Sequence, residues 1–475
     1  MIDHVPQPEE LVRIPAPSGN GMDQSFSSSP FFQKIDWLSF GITTVLALLI
    51  YLITMAPDVT LENSGTFSTS AAYAGVAQPP GFPVWTVYSW LFIKLLPFSN
   101  IAWRVTIGSA TAAALACGMV ALMVSHGGKM LLENHPTFVR RKPAEQNYLR
   151  VVCGYIAGMA FGLSNPVWQR AVLVDFWALS TLLFAIMLCL LMCWMAAPQR
   201  RWFLYGAFFV FGLLLTSNQE LITAISALLF CVLLHDKKLG RDLSVFVAVA
   251  AGLGWLADKF NLISSSDSYL CKNITLELTF LLVAVVAVVI VITTRRIGSE
   301  WKSAVLCGIF LLLGLGWYFY ISIASMTNPP VNWAYPRTVE GFVHAITRGQ
   351  YEKANPTHDL SQFMGQLWML TKQTGREFGW LYLAFAMLPF CWLHQMERIA
   401  RNWILGLTSI CVCVGPLLVA LLNPSADRQT MELTAPYFTS MYVVLAVWAG
   451  LGLMIFGNMI SKSSSQQLLD AAAIS

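Results

Sequence analysis

Two carboxylates, Asp58 and Glu62, stand four residues apart in the stretch APDVTLENSGTFSTSAAYAGVAQPPGFPVW, residues 56–85. On a helical turn that spacing places both on one face. A carboxylate at the edge of an apolar region is suited to take a proton from a hydroxyl. Pro57 and the turn Asn63-Ser64-Gly65 predict a break before a short helix over about 66–76, with Ser64 or Thr66 as its N-cap. Gln78-Pro79-Pro80-Gly81 then imposes an extended turn. A plainer role for Asp58, the polar marker at the end of a span, fits its position equally well.

Three further stretches carry groups of the same kind. In SNPVWQRAVLVDFWALS, residues 164–180, Asp175 lies inside an apolar run and needs a partner there, and Arg170 stands five residues before it. A structural ion pair framed by Trp168 and Trp177 is the expected arrangement. TSNQE, residues 216–220, offers Asn218 on a short polar hairpin. The stretch TNPPVNWAYPRTVEGFVHAITRGQYEKANP, residues 327–356, mixes turn-forming prolines with Trp333, Tyr351, Arg337, Arg348 and Lys353. Guanidinium forks match phosphate oxygens, so this stretch reads either as a lipid-phosphate or pyrophosphate ligand set or as an ordinary amphiphilic loop. Arg428, in NPSADRQTMEL, is one more candidate cation. The cysteines have no metal-ligand spacing: nine of the ten fall in apolar segments, and Cys271 has no obvious partner. No metal and no cofactor are expected.

The elements that must position these groups follow from composition. The chain has 475 residues, of which 56% are hydrophobic and 11% charged. Soluble domains carry roughly 25% charged residues. Runs such as 178–197, 273–294 and 303–325 match the ~20 residues needed to cross a bilayer. In lipid such runs must be helices, so the chain reads as an all-α polytopic membrane protein. Placing Lys and Arg on the inner side predicts twelve spans near 37–56, 103–125, 149–164, 173–197, 202–217, 219–235, 242–257, 273–294, 303–325, 378–395, 402–422 and 436–457. Residues 84–97, short, aromatic and carrying Lys94, read as a flat interfacial helix in the first outer loop. Residues 326–377 form a second, large outer loop. Residues 1–35 read as a disordered cytoplasmic tail, 36–457 as the transmembrane domain and 458–475 as a second cytoplasmic tail. There is no nucleotide-binding glycine pattern, and no nucleic-acid partner is expected. A transporter needs polar groups in mid-membrane, and these spans carry very few.

Taken in order, these stretches resemble a known family. A span is followed by an acidic loop ending in Pro79-Pro80-Gly81-Phe82-Pro83, a flat helix and then Asn100-Ile101-Ala102-Trp103-Arg104-Val105. NPVWQRAVLVDFWALS, GLLLTSNQ, NPPVNWAYPRTVEGFVHAITRGQYE and LLNPSADRQ continue the match across about 37–457. The pattern is similar to the DUF2723 family, relatives of protein O-mannosyltransferases within the GT-C membrane glycosyltransferases. The resemblance implies a GT-C fold and sugar transfer from a polyprenyl-phosphate carrier to an extracytoplasmic protein or envelope acceptor, with an acidic residue of the first outer loop as base. It also implies substrate-binding roles for Asn63, Gln78, Asp175, Asn218, Trp333, Arg337, Arg348, Tyr351 and Arg428.

The departures bear on that base. Where the family reads Asp-Ser-Gly-Glu, this chain has Asn63-Ser64-Gly65-Thr66. His-Pro-Pro-Gly becomes Gln78-Pro79-Pro80-Gly81, Glu-Val-Tyr becomes Asp175-Phe176-Trp177, and Thr-Asn-His becomes Thr216-Ser217-Asn218. An amide at position 63 cannot act as a base. Either Asp58 or Glu62 has taken over the proton, or the scaffold has lost transfer activity.

Overall fold

The computed structural model describes residues 31–61, 63–132, 142–259, 298–351, 355–425 and 427–474. Among them the chain is helical apart from loops and one isolated parallel bridge, Val76 to Asn332. The first ten helices are α1 (Lys34–Thr54), α2 (Ser64–Ala72), α3 (Pro83–Leu95), α4 (Ile101–Leu132), α5 (Pro143–Gly162), α6 (Asn165–Ala171), α7 (Trp177–Ala196), α8 (Trp202–Leu215), α9 (Ala224–His235) and α10 (Lys237–Lys259).

Six described helices are long and apolar enough to cross a membrane: α1, α4, α7, Trp301–Met326, Arg398–Leu422 and Glu432–Ile460. A seventh results if α5 and α6, bent by 74° around Ser164, form one broken span. The break falls at Ser164, whose backbone is extended, and Pro166 in the first turn of α6 lacks the N–H that a continuous helix would require there. The chain is a multi-pass membrane protein. The other expected spans fall on shorter or more polar helices, α8, α9, α10 and Trp380–Cys391. The expected span 273–294 lies outside the described residues.

The helix α7 forms the centre, 89% of its apolar window being buried, whereas α1 is peripheral at 22%. One end of α1 is fastened by a buried ionic knot. Asp36 receives Arg150 Nη2 at 2.5 Å and Ser125 Oγ at 2.6 Å, while Arg150 Nε reaches Ser125 O at 3.0 Å. Asp36 and Arg150 are both almost fully buried, so this contact fixes α1, α4 and α5 in one register.

Two sequence expectations are corrected near the first outer loop. The short helix there is α2, which starts at Ser64; its preceding residue Asn63 makes no side-chain capping bond. Ser64 does not cap either: its Oγ donates to Thr60 O at 2.5 Å and accepts Thr60 N–H at 2.9 Å, tying off the preceding loop. Residues 55–61 are not helical, so Asp58 has no helical face to share. Its Oδ1 instead accepts the N–H of Val59 at 2.7 Å, and Glu62 lies outside the described residues. The segment expected as a flat helix forms α3, whose 13 residues reach only ~20 Å, short of a crossing. Residues 326–377, expected as a large outer loop, contain the helices Val339–Ile346 and Leu360–Phe378.

Candidate functional site

The turn between α2 and α3 is built from backbone that ordinary residues avoid. Gly81 has φ +92° and Phe82 φ +44°, which swings the Phe82 ring onto Phe176 at 4.1 Å. Phe67 packs edge-on against Phe82, Trp85 and Phe176. Trp85 Nε1 donates to Asp175 O at 2.9 Å, and Ser109 Oγ donates to the same oxygen at 3.2 Å. The aromatic box therefore joins α2 and α3 to the loop ahead of α7.

The side chain of Asp175 makes the expected pair: Arg170 Nη1 donates to Oδ2 at 2.8 Å, and Phe176 N–H to Oδ1 at 2.6 Å. Burial pushes this carboxyl above the ordinary carboxylate range, against the opposing pull of the Arg170 guanidinium and the backbone N–H groups. The cavity beside the pair, lined by Ala113, Ala116, Val167, Arg170, Trp177 and Thr439 among others, has a volume of about 10 Å³, room for one water and no sugar.

The stretch 328–351 folds onto the first loop. Val76 N–H reaches Val331 O at 3.0 Å, Trp333 N–H reaches Val76 O at 3.3 Å, and Tyr320 hydroxyl donates to Ala74 O at 2.7 Å. Gly75 permits this approach, because a Cβ there would stand 2.7 Å from Val331 O. Gln78 closes the Pro-Pro-Gly turn, its carbonyl accepting Gly81 N–H at 2.8 Å. Trp333 is half-exposed. Arg337 Nη1 donates to Asn328 Oδ1 at 2.7 Å and its guanidinium lies 5.6 Å from the Tyr335 ring centroid, so both contacts are with neutral groups.

Arg348 sits in a different setting. Its Nη1 forms a short ion pair with Glu220 Oε1, its guanidinium covers the Tyr351 ring at 4.8 Å, and Tyr437 adds a side-chain hydrogen bond. Burial opposes its charge, but Glu220 outweighs that and holds the guanidinium above its ordinary pKa. Gln219 Nε2 reinforces the junction by donating to Tyr318 hydroxyl and to Ile346 O, both at 2.8 Å. Beside it Asn218 is buried with Oδ1 unpartnered, as is Ser217 Oγ. Tyr437 also packs edge-on against Trp177 at 4.7 Å, linking this junction to the Asp175 pair. Arg428 opens the helix Arg428–Thr434, which Asp427 caps by accepting Thr430 N–H; the Arg428 side chain is outside what the structure describes.

The structure thus connects the stretches that carry Gln78, Asp175, Asn218, Trp333, Arg348 and Tyr351. Asp58 and Asn63 are exposed at one end of the first loop. Sequence reasoning missed Glu220, Gln219, Tyr318 and Tyr437. The available signal was Glu220 itself, an acid next to an apolar run with no nearby cation in sequence.

Comparison with known proteins adds a partial match. Residues 63–241 match the family described as Protein O-mannosyl-transferase TMEM260 N-terminal domain. Protein O-mannosyl-transferase TMEM260 of Mus musculus is 24% identical over 218 residues, covering 44% of this chain and 28% of the mouse protein. The Dictyostelium discoideum protein O-mannosyl-transferase tmem260 is 24% identical over 144 residues, covering 30% of this chain and 15% of that protein. The matched stretches thus span less than a third of either relative's length. Among solved structures, ArnT from Cupriavidus metallidurans bound to undecaprenyl phosphate aligns with a TM-score of 0.42 and 13% identity, over 88% of this chain and 60% of that one.

Proposed function

We propose that the chain is a membrane glycosyltransferase of GT-C type, moving a mannose-like sugar from a polyprenyl-phosphate carrier to an extracytoplasmic protein or envelope acceptor. The observation that carries the reading is the match of residues 63–241 to an O-mannosyl-transferase domain, within which α2, α3, the Asp175 loop and the 216–220 hairpin are joined to one another or to the 328–351 stretch. In the proposed reaction an acceptor hydroxyl oxygen attacks the anomeric carbon as the bond to the carrier phosphate breaks. The carbon–oxygen bond formed is the new glycosidic bond, and the hydroxyl proton passes to a carboxylate. The phosphate leaves with the bonding pair. A nearby cation stabilises that developing charge, and the carboxylate assists an oxocarbenium-like transition state. Asp58 and Glu62 are the proposed bases. Arg337, whose contacts are neutral, is the proposed phosphate cation, with Trp333, Tyr351, Asn63, Gln78, Asn218 and Arg428 lining the substrates. No cofactor enters this scheme.

The test supplies membranes bearing the full chain with a radiolabelled lipid-phosphate sugar and follows transfer to protein. Asp58→Asn or Glu62→Gln should remove transfer. Full activity in both would discard both bases.

A second reading, a scaffold that binds lipid phosphate or a partner without turnover, is favoured by one observation: Asn63 replaces the family acid, while Arg348 is already engaged by Glu220. In that case the purified chain binds carrier lipid, loses binding on Arg337→Gln, and releases no sugar. Any measured turnover would eliminate it.

A further inference from the structure

The helix Leu360–Phe378 carries a row of side chains that nothing described covers. Leu360, Met364 and Trp368 are 73%, 55% and 59% exposed, and the same four-residue spacing continues through Lys372 and Arg376, which are also exposed. Each four-residue step advances about 40° around the axis, so the row winds gradually from an apolar half, Leu360 to Trp368, to a cationic half, Lys372 and Arg376. Lys372 Nζ lies 5.9 Å from the Trp368 ring centroid, at the boundary between the halves.

The opposite face is held firmly. Gln366, Leu370 and Thr374 are buried. Gln366 Nε2 donates to Asn423 Oδ1 at 2.8 Å and to Pro424 O at 2.9 Å, and Thr357 Oγ1 donates to Gln366 Oε1 at 2.9 Å. At the far end Glu377 Oε2 accepts Asn165 N–H at 2.9 Å. The helix cannot roll to bury its row without breaking these bonds.

We propose that this helix lies in the plane of the bilayer surface and docks on anionic lipid headgroups. Leu360, Met364 and Trp368 enter the headgroup–acyl boundary, and Lys372 and Arg376 bind lipid phosphates. Water is a poor environment for three large adjacent apolar side chains, and the acyl core is a worse one for Lys372 and Arg376. Only the interface suits both halves, and tryptophan concentrates there. The charge of the row selects an anionic surface, to which each nearby cation adds attraction. The surface also continues into lipid-facing territory: Trp380 and Leu381, 58% and 74% exposed, open the apolar helix Trp380–Cys391 that follows. The inference rests on the chain being a membrane protein and is independent of sugar transfer.

The full chain is reconstituted in nanodiscs of phosphatidylcholine alone and of phosphatidylcholine with phosphatidylglycerol. Hydrogen exchange is followed across 361–376 and, as a control, across α7. Exchange of the helix should slow in the anionic discs, by about fivefold per cation, with α7 unchanged. Lys372→Gln with Arg376→Gln should bring exchange in anionic discs up to the phosphatidylcholine level. Trp368→Ser should speed exchange in both lipids without moving the melting midpoint in detergent, because the side chain is exposed. Wild-type exchange that is equal in the two bilayers overturns the proposal, as does a double variant that keeps the anionic protection.

Discussion

Replacing Arg170 by Met isolates the energetics of the Asp175 pair. The side chains of Arg170 and Asp175 are 16% and 8% exposed, so water screens their attraction poorly. Removing one partner of a buried pair strands the other, at a cost of about 3–5 kcal/mol. On the scaling of larger soluble domains, that lowers the melting midpoint by about 10 °C. The loss should also depend on pH with a definite sign. Burial already raises the Asp175 carboxyl, and Arg170 is the main influence opposing it. Without Arg170 the folded-state pKa climbs further above the unfolded value, so the folded state holds the proton more tightly than the unfolded state does. Stability is then retained below the unfolded pKa and falls as pH rises through the folded one. The deficit of Arg170→Met against wild type should therefore be smaller at pH 5 than at pH 8. Arg170→Met combined with Asp175→Asn removes the stranded charge while leaving an oxygen to accept Phe176 N–H, and should recover most of the loss. The assay is intrinsic-fluorescence melting of the detergent-solubilised chain across that pH range. A deficit below about 1 kcal/mol, the size of an exposed pair, or one that does not change with pH, would refute the reasoning.

Three other outcomes follow from single contacts. Gly75→Val places a Cβ 2.7 Å from Val331 O and should release the 328–337 segment to limited proteolysis, whereas Gly365→Ala, with nothing within 4 Å, should not. Asn100 caps α4 by accepting Trp103 N–H at 2.7 Å and holds the first loop by donating to Pro57 O at 2.9 Å. Asn100→Ala should therefore cost about 1 kcal/mol, while Asn100→Asp should keep the cap yet still speed hydrogen exchange around residues 55–60, since a carboxylate cannot donate to Pro57. Glu220→Gln removes the counter-charge of Arg348 and should tighten binding of a short-chain polyprenyl phosphate, measured by calorimetry. Arg348→Gln should not tighten it.

What was legible in the chain depended on whether a contact was local in sequence. The Arg170–Asp175 pair was readable because an acid inside an apolar run needs a cation and one stands five residues away. That residues 84–97 form a helix too short to cross was readable from the length of their apolar run. By contrast Glu220 and Arg348 are separated by 128 residues, and each alone resembles a solvated loop charge. The bridge between Val76 and Asn332 gives no sequence signal beyond Gly75, whose need is visible only once Val331 is opposite it. The N-cap expectation failed at Ser64 because the Thr60 main chain competes for its hydroxyl. The shared helical face of Asp58 and Glu62 failed for Asp58, because 55–61 does not form a helix. The twelve expected spans came from counting apolar runs, which does not distinguish a crossing helix from a shorter packed one such as α8 or Trp380–Cys391.

The pairing pattern narrows where a base can reside if the chain transfers sugar. A carboxylate locked in a charge-assisted bond to a guanidinium offers its lone pairs poorly. Asp175 and Glu220 are both locked in this way, to Arg170 and Arg348. Asp359, Glu377 and Asp427 each accept backbone N–H groups at helix starts, and the hydrogen bonds to Asp427 lower its carboxyl to about 2, too weak a base to hold a hydroxyl proton. Asp58 differs, because among the described residues its bond is to the neighbouring Val59 N–H and it stays exposed on a loop that Asn100 tethers. The same sorting applies to the cations: Arg170 and Arg348 are neutralised, while among the described residues Arg337 contacts Asn328 and Tyr335, both neutral. Of these carboxylates, Asp58 is engaged by neither a guanidinium nor a helix start, which supports the segment of Asp58 and Glu62 as the proposed source of the base, with exposed Glu340 on the helix Val339–Ile346 as the alternative to exchange in parallel. If exchanging both for amides leaves transfer intact, none of these paired or capping acids is chemically placed to replace them.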